Sequence, residues 1–121
     1  MRTFDDLVAL YYTDNCYVVI RPFVKINPED EFRVFIKDKN IVGITQYYYQ
    51  DGIVISNPEQ IEKSTRKFVT NNIIPNVNLD DYVVDVELTN NKMIELNPFG
   101  LSDTCLFEGY DNLDGSFKYK K

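Results

Sequence analysis

Histidine is absent from this chain, and so is tryptophan. The first absence excludes more chemistry than any motif in the sequence suggests. Without imidazole there is no general base of the usual kind, no Ser-His-Asp or Cys-His activation of a nucleophile, and no histidine ligand for a transition metal. Cysteine is nearly absent too: Cys16 and Cys105 are far apart and form no CxxC pair, so zinc of the common ligand types is excluded with them. If the protein performs chemistry, carboxylates, Lys or Arg carry it.

Long apolar runs are also missing. No segment approaches the roughly 18 apolar residues of a membrane span, and the start, Met1-Arg-Thr-Phe-Asp-Asp6, lacks the apolar centre of a signal peptide. The expectation is a cytoplasmic protein with both thiols free. Positive charge is in the minority, 13 basic against 19 acidic residues for a net of -6. That balance speaks against nucleic acid or an anionic membrane as the main partner, since phosphate binding needs a basic face.

What is present is an ordered-protein composition, 44% hydrophobic with nine Tyr and eight Phe in 121 residues. Such a chain suits one α+β domain with one core. Thr3 or Asp5 caps an expected short helix through Leu7, Val8, Leu10 and Tyr11. Residues 16–24 are β-branched and aromatic and read as a strand, ended by Asn27-Pro28-Glu29-Asp30. Phe32, Val34 and Ile36 alternate with Arg33, Phe35 and Lys37. After Asp38-Lys39-Asn40 a second strand follows over 41–49, a hairpin with Asn40 expected in the left-handed conformation. Asn57-Pro58 starts a helix to about Asn72, with Ile61, Thr65, Phe68, Val69 and Asn72 on one stripe. The segment around Pro75 must turn. In a second hairpin Tyr82, Val84, Val86 and Leu88 alternate with Val83, Asp85 and Glu87, and beyond Thr89-Asn90-Asn91, Ile94 and Leu96 alternate with Met93, Glu95 and Asn97. The tail turns at Asp114-Gly115 and ends as a frayed strand or loop with Lys118-Tyr119-Lys120-Lys121.

The register of the second hairpin follows from its apolar residues, because both apolar rows must share the core face. A two-residue turn would set Glu95 beside Val86; a three-residue loop, or a bulge near Asn91, keeps the rows together. Asp85, Glu87 and Glu95 then converge on one face with the Asn97 amide, neighbouring side chains about 5 Å apart. Carboxylates that close repel by roughly 1 kcal/mol in water and several times more where solvent is scarce. Either the face is simply solvated or a hard cation such as Mg²⁺ compensates.

The run Ile94-Glu-Leu-Asn-Pro-Phe-Gly100, preceded by Tyr82-Val-Val-Asp85, resembles the metal-binding segment of the cell division cycle protein 123 family. In the same order upstream, Tyr17-Val-Val-Ile-Arg21, Glu31-Phe-Arg-Val-Phe-Ile36 and Ile41-Val-Gly-Ile-Thr-Gln46 are similar to further segments of that family, so the match covers about residues 17–108. The resemblance implies the C-terminal part of an ATP-grasp fold, two hairpins packed against one main helix, with ATP and Mg²⁺ as cofactors. By position it makes Asp85, Glu95 and Asn97 metal ligands and Arg33 a phosphate contact, the alternative for Arg33 being a surface salt bridge to Glu31 or Glu87. Arg21 and Gln46 are further candidates for the nucleotide site, Arg21 with a structural role as its alternative. Tyr47, Tyr48 and Tyr49 line the cleft or divide between core and surface, and Glu87 is solvated or supports a ligand.

Glu95 stands where the family more commonly has Asp. The family's phosphate-holding lysines precede the matched region and have no recognisable counterpart here, so the protein partner that the resemblance implies is either the gamma subunit of translation initiation factor two or a chain supplying that lobe. Three functions follow from the resemblance. The first is a Mg-ATP-binding chaperone that assembles translation initiation factor two through its gamma subunit. The second is half of an ATP-dependent carboxylate-amine or RNA ligase. The third is a reduced, non-catalytic component of a larger assembly, viral or phage-borne.

Overall fold

The structure is a computed structural model and describes residues 28–50 and 53–120. The expected N-terminal helix, the strand at 16–24, Cys16 and Arg21 lie outside the described residues. No helix among those described is long and apolar enough to cross a membrane.

Strands β1 (Glu31–Lys37) and β2 (Asn40–Gln46) form the first hairpin, and β3 (Tyr82–Glu87) and β4 (Lys92–Asn97) the second. With β5 (Phe117–Lys118) they make one five-stranded sheet in the order β4-β3-β1-β2-β5. The hairpins are antiparallel and join through β1 and β3, while β5 runs parallel to β2. The basic tail thus contributes a short strand that covers the outer side of β2.

The first turn differs from expectation. Lys37 pairs with Asn40, so the loop is the two residues Asp38 and Lys39, and these take the left-handed conformation (φ 51° and 61°). A two-residue turn that matches strand twist needs positive φ at both central positions. Asn40 instead opens β2 and donates from Nδ2 to the Asp38 carbonyl at 2.9 Å. The strained turn is tied down from outside, Asp38 N–H to Asp81 Oδ1 and Lys39 N–H to the Asp80 carbonyl, each 2.9 Å.

The even-numbered side chains of β1 and β3 build the main core. Phe32, Val34, Ile36, Tyr82, Val84 and Val86 are buried with Ile44, Met93 and Leu96 against Phe68, Val69 and Ile73. Helix α1 (Pro58–Phe68) starts where expected, with the Asn57 carbonyl accepting from Ile61 N–H at 3.0 Å, although the Asn57 side chain makes no capping bond. Thr65 is fully buried and returns its hydroxyl to the Ile61 carbonyl at 2.8 Å. Beyond Phe68 the chain widens into a π turn, Val69–Ile73. The extra residue per turn rotates the stripe, so Ile73 is buried and Asn72 exposed, not Asn72 inward as the 3.6-residue period had it.

Tyr82 is fully buried and its hydroxyl has no hydrogen-bond partner among the described residues, while burial pushes the phenol up to about 12. A buried unsatisfied hydroxyl costs about 1–3 kcal/mol. Tyr82→Phe is therefore expected to raise stability by about 1 kcal/mol in urea titration; a loss of that size would mean that the hydroxyl is bonded in solution.

The opposite face carries a second core. Phe35, Val83 and Phe107 are buried together, with Val42, Phe99, Tyr110 and Leu113 packed against them. The segment 98–113 is the cover. Gly43 permits its approach, since a Cβ there would lie 2.8 Å from Leu113 Cδ2 and 3.1 Å from Phe107 Cζ.

Candidate functional site

On this second face paired residues stand in rows across the strands, odd-numbered except in β4 before its bulge. Thr45 of β2, Arg33 of β1, Asp85 of β3 and Glu95 of β4 form one row by direct pairing. The next row is Glu31, Glu87 and Lys92, and on the other side lie Gly43, Phe35, Val83 and Asn97. The register of the acidic hairpin has a bulge, but not near Asn91. Asp85 pairs with Glu95 and Val86 with Met93, which leaves Ile94 as the extra residue and residues 88–91 as a four-residue connection. The bulge is what allows Met93 to join Val86 in the core while Asp85 and Glu95 stay opposite one another.

The ion pair at the centre of the row decides its electrostatics. Arg33 Nε donates to Asp85 Oδ1 at 2.8 Å and Nη2 to Oδ2 at 2.9 Å, a bidentate fork. Arg33 is 5% exposed and Asp85 0%. Burial disfavours the guanidinium charge, but the hydrogen bond and attraction of Asp85 outweigh it and hold Arg33 above its ordinary value. Arg33 thus takes neither Glu31 nor Glu87 as its fork partner, and the pair is no surface salt bridge. Its Nη1 donates to the Asp103 carbonyl at 2.8 Å, and its Cζ stands 4.9 Å from the centre of the Tyr47 ring. Burial first, and then the Asp85 charge, push the Tyr47 phenol upward. Cys105 is a free thiol, pushed up to about 12 chiefly by burial, with Arg33 pulling the other way.

Of the residues expected at a metal and nucleotide site, the fold brings Arg33, Asp85, Glu95 and Asn97 to one face. Gln46 is not brought to them. It pairs with Phe32 on the core side, fully buried, and spends its amide on the backbone: Nε2 donates to the Ile53 carbonyl and Oε1 accepts from Lys120 N–H, both 2.9 Å. Glu87 is not solvated; it is 3% exposed and its Oε1 accepts from Asn90 N–H and Nδ2, bracing the β3–β4 connection. Tyr47 stacks edge-to-face with Tyr48, ring centres 5.0 Å apart. Backbone acceptors carry no side-chain signature, so the Asp103 carbonyl was invisible in the sequence; the cross-strand place of Thr45 beside Arg33 was the only available hint.

Among the described residues no group of three or more Cys, Asp or Glu is placed to hold a metal ion. The expected set is instead two carboxylates and an amide, and that donor chemistry fits Mg²⁺, which takes one or two protein carboxylates and completes its shell with water and phosphate oxygens. Glu95 and Asn97 are partly exposed, and the Asn97 Nδ2 is buried without a hydrogen-bond partner among the described residues.

The D123 family profile matches residues 10–121. The translation initiation factor eIF2 assembly protein of Candida albicans is 34% identical over 114 residues, covering 84% of this chain and 32% of that protein. Its namesake in Xenopus tropicalis is 34% identical over 99 residues, 74% of this chain and 29% of that one. The chain therefore spans about a third of the length of these relatives. Among solved structures, Cdc123 from Schizosaccharomyces pombe superposes with a TM-score of 0.63 at 20% identity, over 80% of this chain and 43% of the other, which is a likeness of fold. On the extent of the profile match, this chain is a member of the D123 family.

Proposed function

We propose that the chain provides the cation-holding half of a Mg²⁺-nucleotide site in an eIF2 assembly factor, and that the occupied site favours binding of the eIF2 gamma subunit. The observation that supports this reading is the row Arg33, Asp85 and Glu95 with Asn97 beside it on one sheet face. Glu95 and Asn97 would hold the cation, with Asp85 beside them in the row contributing an oxygen. The chemistry that Mg²⁺ would supply there is neutralisation of phosphate charge. Arg33 has five N–H groups, of which three are engaged among the described residues, and the other two would meet phosphate oxygens. The sheet supplies the rigidity, since all these groups stand on paired strands. Nothing in the row is a nucleophile with its base, which suits nucleotide-dependent binding of a partner better than rapid turnover.

Isothermal calorimetry with Mg-ATP tests the reading on the wild type and on Glu95→Gln, a partly exposed position that leaves the core ion pair alone. Removing one carboxylate ligand is expected to weaken binding about tenfold or more and to raise the Mg²⁺ concentration needed. A folded wild type that gives no heat, or a variant that binds as tightly, overturns it.

A further inference from the structure

Arg33 is held on three sides, and only one of the three holders is its ionic partner. Asp85 takes one edge of the guanidinium, the Tyr47 ring lies against it, and the Asp103 carbonyl takes Nη1. A carbonyl at the end of a loop positions a cation only if the loop itself is fixed, and the turn at 103–106 carries three separate ties. Asp103 Oδ1 accepts from Cys105 N–H at 2.9 Å, which closes the turn on itself. Thr104 Oγ1 donates to the Phe107 carbonyl at 2.8 Å, joining the turn to the second core. Leu106 N–H donates to Thr45 Oγ1 at 3.3 Å, joining it to the strand beside Arg33. Cys105 is left-handed at φ 55°, a conformation that a β-carbon-bearing residue keeps only when its surroundings enforce it.

Thr45 is fully buried and is the direct cross-strand partner of Arg33. Its hydroxyl accepts from the turn at Leu106 N–H and donates to the Gln46 carbonyl at 3.2 Å, so the turn is tied to the strand that pairs with Arg33.

Resting on the reading of this face as a nucleotide site, we propose that Thr45 and the 103–106 turn are the positioning element of Arg33. Thr45 anchors the turn, the turn aims the Asp103 carbonyl, and the carbonyl fixes the guanidinium plane so that its two N–H groups without a partner among the described residues are presented to an anionic ligand in one orientation. Neither Thr45 nor Asp103 touches that ligand. Their effect passes through Arg33 alone.

The test uses the full chain with Thr45→Val, Thr45→Ser and the surface variant Asp103→Ala, which removes the Asx-type closure of the turn and leaves the core intact. The first readout needs no nucleotide: the rate at which phenylglyoxal modifies Arg33, mapped by mass spectrometry, with Arg66 as internal reference. Arg66 pairs with Glu62 and the Gly115 carbonyl, away from this turn. Arg33 is expected to react about fivefold faster in Thr45→Val and Asp103→Ala, the factor that one lost neutral hydrogen bond sets. Arg66 should be unchanged, and Thr45→Ser, which keeps the hydroxyl, should stay near wild type. The second readout is Mg-ATP calorimetry, in which Thr45→Val weakens binding by about the same factor and Thr45→Ser restores it. Unchanged Arg33 reactivity in both disruptive variants, or a parallel rise at Arg66, overturns the proposal. A wild type that does not bind Mg-ATP defeats the nucleotide reading, while the modification rates still decide whether the turn holds Arg33.

Discussion

Asp85→Ala is expected to cost about 3–5 kcal/mol of folding stability, the range for breaking a buried ion pair from one side. The loss is not that of the attraction itself. It is the cost of a guanidinium left 5% exposed with its fork unfilled, since both of the hydrogen bonds that Nε and Nη2 make go to this carboxylate. Replacing both members by apolar residues of similar volume, Arg33→Met with Asp85→Leu, should recover most of the deficit, because the desolvation cost of the pair disappears with the pair. Urea titration of the two single variants and the double variant closes the cycle. A loss below about 1 kcal/mol in Asp85→Ala would place the pair among solvated surface bridges and contradict its burial. The same reasoning makes Asp85 a poor probe of cation binding: its variants unsettle the fold first, whereas Glu95 is partly exposed and separable.

Phe35→Ala should be comparably damaging, about 3–5 kcal/mol, although Phe35 sits on the face that a one-sided sheet would leave to solvent. It is fully buried and stands edge-on to Phe107 and Tyr110, ring centres 6.0 and 5.6 Å away. Such pairs add about 0.5–1.5 kcal/mol to area burial. Its removal leaves the segment 98–113 with Val83 as its main buried contact on the sheet, so the variant should also be cleaved faster by limited proteolysis within that segment. A stability loss under about 1.5 kcal/mol, with the cleavage rate unchanged, would show that the second core closes without it.

Much of the architecture was legible because it rests on periodicity. The alternation of Phe32, Val34 and Ile36, and of Tyr82, Val84 and Val86, marks one buried face whatever the partner, and the fold places these residues in the main core. The helix start at Asn57-Pro58 is a local signal and holds. The fold departs from local preference where a distant residue intervenes. Asn40 was the better left-handed residue by propensity, yet Asp38 and Lys39 take that conformation because Asp80 and Asp81, some forty positions on, supply acceptors for their N–H groups. The π turn after Phe68 moved the buried position from Asn72 to Ile73, since a regular period cannot register an inserted residue.

The sequence by itself determined that Asp85 and Glu95 share a face, because a period of two leaves one register that buries both apolar rows, and it determined the family through motifs in order. Only the tertiary structure decided that β1 lies against β3, which sets Arg33 opposite Asp85, and that the 98–113 segment folds back to cap the same face. Gln46 shows the same division: its residue type suggested a ligand contact, but the parity of β2 turned it to the other side, where the Ile53 carbonyl and the Lys120 N–H meet it. Pairing between distant strands depends on total burial summed over the chain, and no window of neighbouring residues contains that sum.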